Sequence, residues 1–391
     1  MKLFLFFFAT ILFFESSSQD SFYSNIQFGN FNIGFCDTII YNDDLTYDQF
    51  GYQGPLPIFI QVWHPVILNS SGSFLTYGDF RKRTVPVQLI SAYNELSAQT
   101  DSSFIAYNIR EAYPTYEEID YGTYTYQDVL NEVKKIPGRS RYAVINNKSD
   151  FPIIIYHHGA QGVQEENFIM AEYFSSRGFI FVSANYHLPY EGMVYGLYES
   201  ISNNTSSEKA VIEFAKSLTS NEHLFYIGHS WGAQAGWCFL YEEGRADAFV
   251  SMETTIEFKT GTNEIKDKWP FVFDVVQSQQ KAYSLPVLMF ANTRDDKPFW
   301  FFENSGRKEM IFASAREDFA HESYTSVYLM RYFLRDRFPQ PDTGVMKSQV
   351  ALYLEHLKLI DSFFDSVINE KPFIAESFKD CFFLNTSNKT E

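Results

Sequence analysis

The sequence predicts an α/β fold in which a mostly parallel central sheet is flanked by helices, with an antiparallel part at its N-terminal end and an insertion. Three observations predict it. From residue 151 onward, short apolar runs alternate with longer amphipathic ones, the pattern of strands joined by crossover helices. Earlier, Pro57-Ile58-Phe59-Ile60-Gln61-Val62-Trp63 has the β-branched and aromatic content of a strand, which suits an antiparallel start to the sheet. Finally, a serine flanked at two positions by glycine, in Gly228-His229-Ser230-Trp231-Gly232, falls where one predicted strand hands over to a helix.

The elements follow in order. Strands are expected over 152–156, 179–184, 223–227, 248–252, 287–291 and 309–313, the last taken as the final strand. Helices are expected over 164–177, 206–218 and 233–243, and a terminal helix over 348–368 with apolar residues at helical spacing. Residues 67–140 are dense in Tyr, Glu, Asp and Ser without a steady period and are expected to form an insertion or lid over the C-terminal edge of the sheet.

Residues 1–18 open with Met1-Lys2, continue in an apolar run from Leu3 to Phe14 and reach Ser16-Ser17-Ser18, the layout of an export signal cleaved near Ser18. The apolar run of about 12 residues is shorter than the roughly 20 that span a bilayer, so no transmembrane anchor is expected. The remaining 19–391 are expected to be one domain. A formal net charge of −17 repels phosphate backbones and excludes nucleic acid as a partner. Of the three cysteines, Cys238 is expected as a buried apolar residue, and Cys36 and Cys381 as a pair available for a bridge in an oxidising compartment.

A serine hydroxyl is a poor nucleophile at neutral pH; it needs a base to take its proton and donors to hold the oxyanion. A G-x-S-x-G run between a strand and a helix is the setting in which a sharp turn exposes such a serine, so Ser230 is the candidate nucleophile. The amides of Ala160, in His157-His158-Gly159-Ala160, and of Trp231 are the candidate oxyanion donors. His321, a short loop beyond the expected last strand, is the candidate base, following the chain order serine, acid, histidine. Two carboxylates compete for the acid: Glu253, ending the strand over 248–252, and Asp295, following the strand over 287–291. His158 is expected to order its loop and His187 to line the pocket, with Tyr186, Phe299, Trp300 and Phe301 as aromatic lining or core. The spacing of histidines offers no metal site, and the mechanism needs no cofactor.

The segments Phe151-Pro152-Ile153-Ile154-Ile155-Tyr156-His157-His158-Gly159-Ala160, Ser176-Arg177-Gly178-Phe179-Ile180-Phe181-Val182 and Ile227-Gly228-His229-Ser230-Trp231-Gly232-Ala233 resemble the platelet-activating factor acetylhydrolases and their dienelactone hydrolase relatives within the α/β-hydrolases. The resemblance covers roughly residues 150 to 325, with an echo at Gln61-Val62-Trp63-His64-Pro65. It implies an α/β-hydrolase fold, an acyl-enzyme mechanism and a small-molecule or lipid ester substrate with a short acyl chain. It also favours Glu253, which stands where that family carries an aspartate. The same scaffold serves lipases, polyester hydrolases and peptidases, and a non-catalytic binding protein is the reading from another class.

Overall fold

The computed structural model describes residues 23–66, 72–112, 114–115, 117–145, 148–196, 201–241, 245–254, 266–279, 285–291 and 310–386. Among the described residues, ten strands form one sheet: β1 (Asn32–Gln49), β2 (Tyr52–Val66), β3 (Ser140–Tyr142), β4 (Ile153–His157), β5 (Ile180–Ala184), β6 (Leu224–His229), β7 (Ala248–Met252), β8 (Val287–Ala291), β9 (Met310–Ala315) and β10 (Phe382–Thr386). Their order is β10-β9-β8-β7-β6-β4-β5-β2-β1-β3. The strands from β5 through β9 are parallel, while β2 meets β5 antiparallel and β10 closes the other edge antiparallel. Strands β4 to β8 are buried at every residue, as parallel strands covered on both faces must be. This arrangement is the α/β-hydrolase fold.

The helices are α1 (Tyr77–Phe80), α2 (Ile90–Phe104), α3 (Tyr126–Val133), α4 (Phe168–Ser176), α5 (Ile201–Ser217), α6 (Trp231–Phe239), α7 (Pro270–Gln279), α8 (Val327–Leu334) and α9 (Thr343–Ile368). One sheet face packs on α4 and α9, where Phe225 of β6 stacks on Phe364 at 4.3 Å. The other face packs on α5, α6 and α7, with Trp237 of α6 against Phe249 of β7 at 5.2 Å. None of the described helices is long and apolar enough to cross a membrane.

The structure departs from the sequence expectations at several places. The strand over 309–313 is not the last, because the chain returns after α9 to add β10 at the edge. The helix expected from residue 164 starts only at Phe168. Before it, Glu165 pairs with Arg81, Glu166 accepts a hydrogen bond from the Tyr156 hydroxyl at 2.7 Å, and Asn167 donates to the Tyr324 carbonyl at 3.0 Å. Three buried polar side chains serving other elements hold this stretch in turns. Cys36 and Cys381 are both free thiols. Cys36 lies on β1 and Cys381 immediately precedes β10, eight interstrand steps of about 4.8 Å away, whereas a disulfide needs Cα atoms within about 7 Å. Cys238 is buried in the apolar layer beneath α6, as expected.

The stretch expected as an insertion supplies α1 to α3, a two-residue ladder pairing Glu111–Ala112 with Glu117–Glu118, and leads into β3. Leu89, Ala92 and Leu96 pack on Tyr47, Phe59 and Leu188, and Ser103 donates to the Gln161 carbonyl at 3.2 Å. This places part of the stretch against the loop that follows β4.

Candidate active site

The chain runs from β4 outward to β5, then crosses back to lay β6 on the other side of β4. Strand order therefore reverses at β4, and the crevice beyond the C-terminal ends of β4 and β6 is where open α/β sheets bind ligands. Both expected halves of the site flank this crevice. Ser230 follows β6 and caps α6, with φ 51° and ψ −112°, a left-handed backbone that costs a side-chain-bearing residue about 1–3 kcal/mol. Its N–H donates to the Met252 carbonyl at the end of β7 at 2.8 Å.

The glycines of the motif are required by contact. A Cβ on Gly228 would lie 2.6 Å from the Ala233 Cα, and one on Gly232 would lie 2.2 Å from the His157 carbonyl oxygen. The turn thereby brings α6 hard against the loop after β4. A Cβ on Gly159 would meet the Ser230 Cβ at 3.2 Å, so the His158-Gly159-Ala160 loop sits directly beside the serine. Ala160 is exposed and Trp231 half-buried, the latter as the first residue of α6, where amides point outward without helical partners.

His158 is buried, and its Nε2 accepts from the Tyr186 N–H at 3.2 Å, so Nδ1 carries the proton it donates to the Gly159 carbonyl at 2.8 Å. Burial, with the His187 imidazole beside it, pushes His158 down to about 4 and keeps the ring neutral. His187 is buried with its ring 5.0 Å from that of His158 and 6.0 Å from that of Trp231. Tyr186 stacks on His157 at 3.5 Å within the core. Phe299, Trp300, Phe301 and Asp295 lie outside the described residues, as do residues 1–18.

His321 opens a single 3₁₀ turn after β9. Burial, with the like charge of His229 beside it, pushes its imidazole down to about 3. Its ring lies 4.7 Å from that of His229, and no hydrogen bond among the described residues joins it to Ser230 or Glu253. Gln349 of α9 holds the His321 loop, accepting from Ser323 Oγ at 2.5 Å and donating to the Asp318 carbonyl at 2.6 Å. Glu253 is buried directly after β7 with φ 50°, and its N–H donates to the Phe290 carbonyl at 2.9 Å. The other histidines are elsewhere: His64 meets the Ala143 carbonyl at 2.9 Å, His223 pairs with Asp247 at 3.3 Å, and His356 packs on Met252 Sδ at 3.1 Å.

Two site residues escape sequence reasoning. His229, though inside the motif, donates from Nε2 to the main-chain oxygen of His321 at 3.0 Å; a carbonyl only accepts, so Nε2 is protonated. Glu166 faces its other nitrogen, Nδ1, at 3.7 Å. The helical pattern over 164–177 hid Glu166. Two consecutive glutamates and an asparagine, Glu165-Glu166-Asn167, directly ahead of an apolar stretch were the available signal.

The sheet order, the switch-point crevice and the strand–serine–helix turn together define an α/β-hydrolase-fold protein. No family model matches the chain, and no curated relative matches it. Among solved structures it is similar to a ferulic acid esterase from Streptomyces cinnamoneus, 12% identical over 83% of this chain and 90% of that one, with a TM-score of 0.47. It is also similar to an acylaminoacyl peptidase from Pyrococcus horikoshii, 15% identical over 60% of this chain and 40% of that one, with a TM-score of 0.42. A thermophilic esterase from Thermogutta terrifontis is 15% identical over 58% of this chain and 86% of that one, with a TM-score of 0.37. Each TM-score is below 0.5, and the fold assignment rests on the sheet order rather than on these likenesses.

Proposed function

We propose that this chain is an exported serine carboxylic ester hydrolase acting through an acyl-enzyme on short-acyl esters, acetylated lipids among them. The observation that carries the reading is the strained backbone of Ser230 at the β6–α6 turn, with φ 51°, pressed against Gly159 at the sheet's switch point. Strain of that kind persists where the surrounding structure over-determines it, and here it stands at the turn beside the crevice.

In this reading Ser230 Oγ attacks the acyl carbon as His321 takes its proton. The Trp231 and Ala160 amides stabilise the oxyanion, each contributing about 3 kcal/mol. His321 returns the proton to the leaving alcohol, then activates water to hydrolyse the acyl-enzyme. Burial pushes its imidazole down to about 3 where it rests against the His229 ring, so the ring carries no extra proton at pH 7; pairing with a carboxylate such as Glu253 raises that value toward the operating pH a general base needs. Turning about its side-chain torsions from the His229 ring toward Ser230 brings it into play. Glu253, one residue beyond the carbonyl that receives the Ser230 amide, takes the acid's role, and His158 and His187 border the acyl pocket.

A fluorescent organophosphonate and a panel of p-nitrophenyl esters test the reading. Labelling and turnover fastest on acetyl and butyryl esters are expected, both abolished in Ser230→Ala and His321→Ala. Absence of labelling in the folded wild type assigns the chain to non-catalytic binding, and faster turnover of aminoacyl amides makes it a peptidase. Among the acids, Glu253→Gln lowers kcat by about 10⁴-fold while Asp295→Asn leaves it intact; the reverse moves the acid to Asp295.

A further inference from the structure

Glu166 and His229 are both buried, and the mechanism above gives neither a chemical step. Burying a carboxylate costs several kcal/mol unless its surroundings repay the lost hydration. The fold supplies those surroundings. Tyr156 donates its hydroxyl to Glu166 Oε1 at 2.7 Å and the Val163 amide donates to Oε2 at 3.4 Å, while the Ser326 amide fixes the Glu166 main-chain oxygen at 3.1 Å. Gly162 makes room, since a Cβ there would lie 2.4 Å from Oε2. Desolvation pushes the Glu166 carboxyl upward, but His229, His158 and the Tyr156 hydroxyl outweigh it and hold the group below its ordinary value. Glu166 is therefore ionised, aimed at the Nδ1 side of His229.

His229 spends its other nitrogen on the carbonyl of His321 at 3.0 Å. It is also the residue before Ser230. One imidazole thus ties the turn that carries the nucleophile to the loop that carries the base, with a fixed carboxylate behind it.

Resting on the reading of Ser230 and His321 given above, we propose that Glu166 and His229 are positioning residues: together they hold the His321 main chain so that its imidazole, on turning from the His229 ring, reaches the same place beside Ser230 in both half-reactions. Neither touches the reacting atoms. The titratable groups in contact with His229 are Glu166 before α4, at 3.7 Å, and His321 on the 3₁₀ turn, its ring at 4.7 Å; Glu322 of that turn and His356 of α9 interact with it only through the electrostatic field, and His158 acts on Glu166 from the loop after β4. His321 is the one whose basicity His229 tunes from adjacent ring contact.

The test compares His229→Phe, which keeps a flat ring and loses the donor, with His229→Gln, which keeps an N–H at similar reach. In the full-length chain with p-nitrophenyl acetate, His229→Phe is expected to lower kcat by about 10²-fold, the cost of displacing a catalytic group by about 1 Å, with KM little changed. His229→Gln recovers about tenfold of that loss, the worth of the retained hydrogen bond. In both variants the acid limb of kcat/KM moves to higher pH, because His321 loses a like-charged neighbour. Equal kcat in the Phe and Gln variants, a loss confined to KM, or an unmoved acid limb overturns the proposal. Should His229→Phe fail to fold, Glu166→Gln carries the test: a lowered kcat at unchanged KM is expected, and an unchanged kcat overturns it. Turnover surviving in Ser230→Ala or His321→Ala sinks the underlying triad instead, independently of the His229 variants.

Discussion

At the scale of single residues, contact geometry sorts the glycines by need. Adding a methyl to Gly232 drives it to 2.2 Å from a main-chain oxygen, which no side-chain rotation relieves. Gly232→Ala is expected to lose about 3 kcal/mol of stability and most organophosphonate labelling, measured by urea unfolding and by the probe. Gly344, in the first turn of α9, has nothing within 4 Å of its Cβ position, so Gly344→Ala gains up to about 1 kcal/mol in the same assay. The serine motif was legible in the sequence because its constraint is local: two glycines within five residues report a turn too tight for side chains. Glu166 was not, because what defines it is a ring 63 positions later in the chain, and its neighbours Phe168, Ile169 and Met170 carry the helical pattern straight past it.

At the scale of elements, α4 and β3 are joined by Glu172. Its Oε1 accepts from the Arg139 amide at 2.6 Å, the Ser140 amide at 2.9 Å and Ser140 Oγ at 2.7 Å. Burial outweighs these donors and pushes the carboxyl up to about 7 from an ordinary 4.5. The folded chain therefore holds this proton more tightly than the unfolded one. The stability it confers is complete below pH 4.5 and is lost as pH rises through about 7, on the order of 3 kcal/mol in all. Glu172→Gln, which keeps an acceptor oxygen, is expected to flatten the fall in unfolding free energy between pH 5 and about 8 relative to wild type; equal slopes refute it. Strands β7 and β8 match the sequence expectation at both ends, since unbroken apolar runs bounded by polar residues admit one reading. Strands β3 and β10 were invisible: three residues carry no period, and an edge strand beyond a 26-residue helix has its partner far away in sequence.

At the scale of the whole molecule, the parallel half of the sheet was legible and its edges were not. The alternation from residue 151 dictates parallel neighbours with helices on both faces, but where each terminus docks depends on pairings that no local pattern records. The cysteines show this. Cys36 and Cys381 lie near the two ends of the sequence and were read as a possible clasp, yet they mark opposite flanks of a ten-stranded sheet. Wild type and Cys36→Ser/Cys381→Ser are expected to melt at the same temperature with and without reductant. A wild-type melting point that falls on reduction reinstates the bridge.

The amide of Ser230 hangs on the carbonyl of Met252, and the next residue, Glu253, is itself forced to a left-handed backbone with φ 50°. Two sprung turns on adjacent strands thus share one linchpin. Grafting a foreign loop after β7, the usual way to retune such a scaffold, pulls on the same peptide that seats Ser230. The segment beyond Glu253 is therefore a poor place to exchange sequence, whereas the turn leading into α2, where Val87 and Ile90 are exposed, leaves that linchpin untouched.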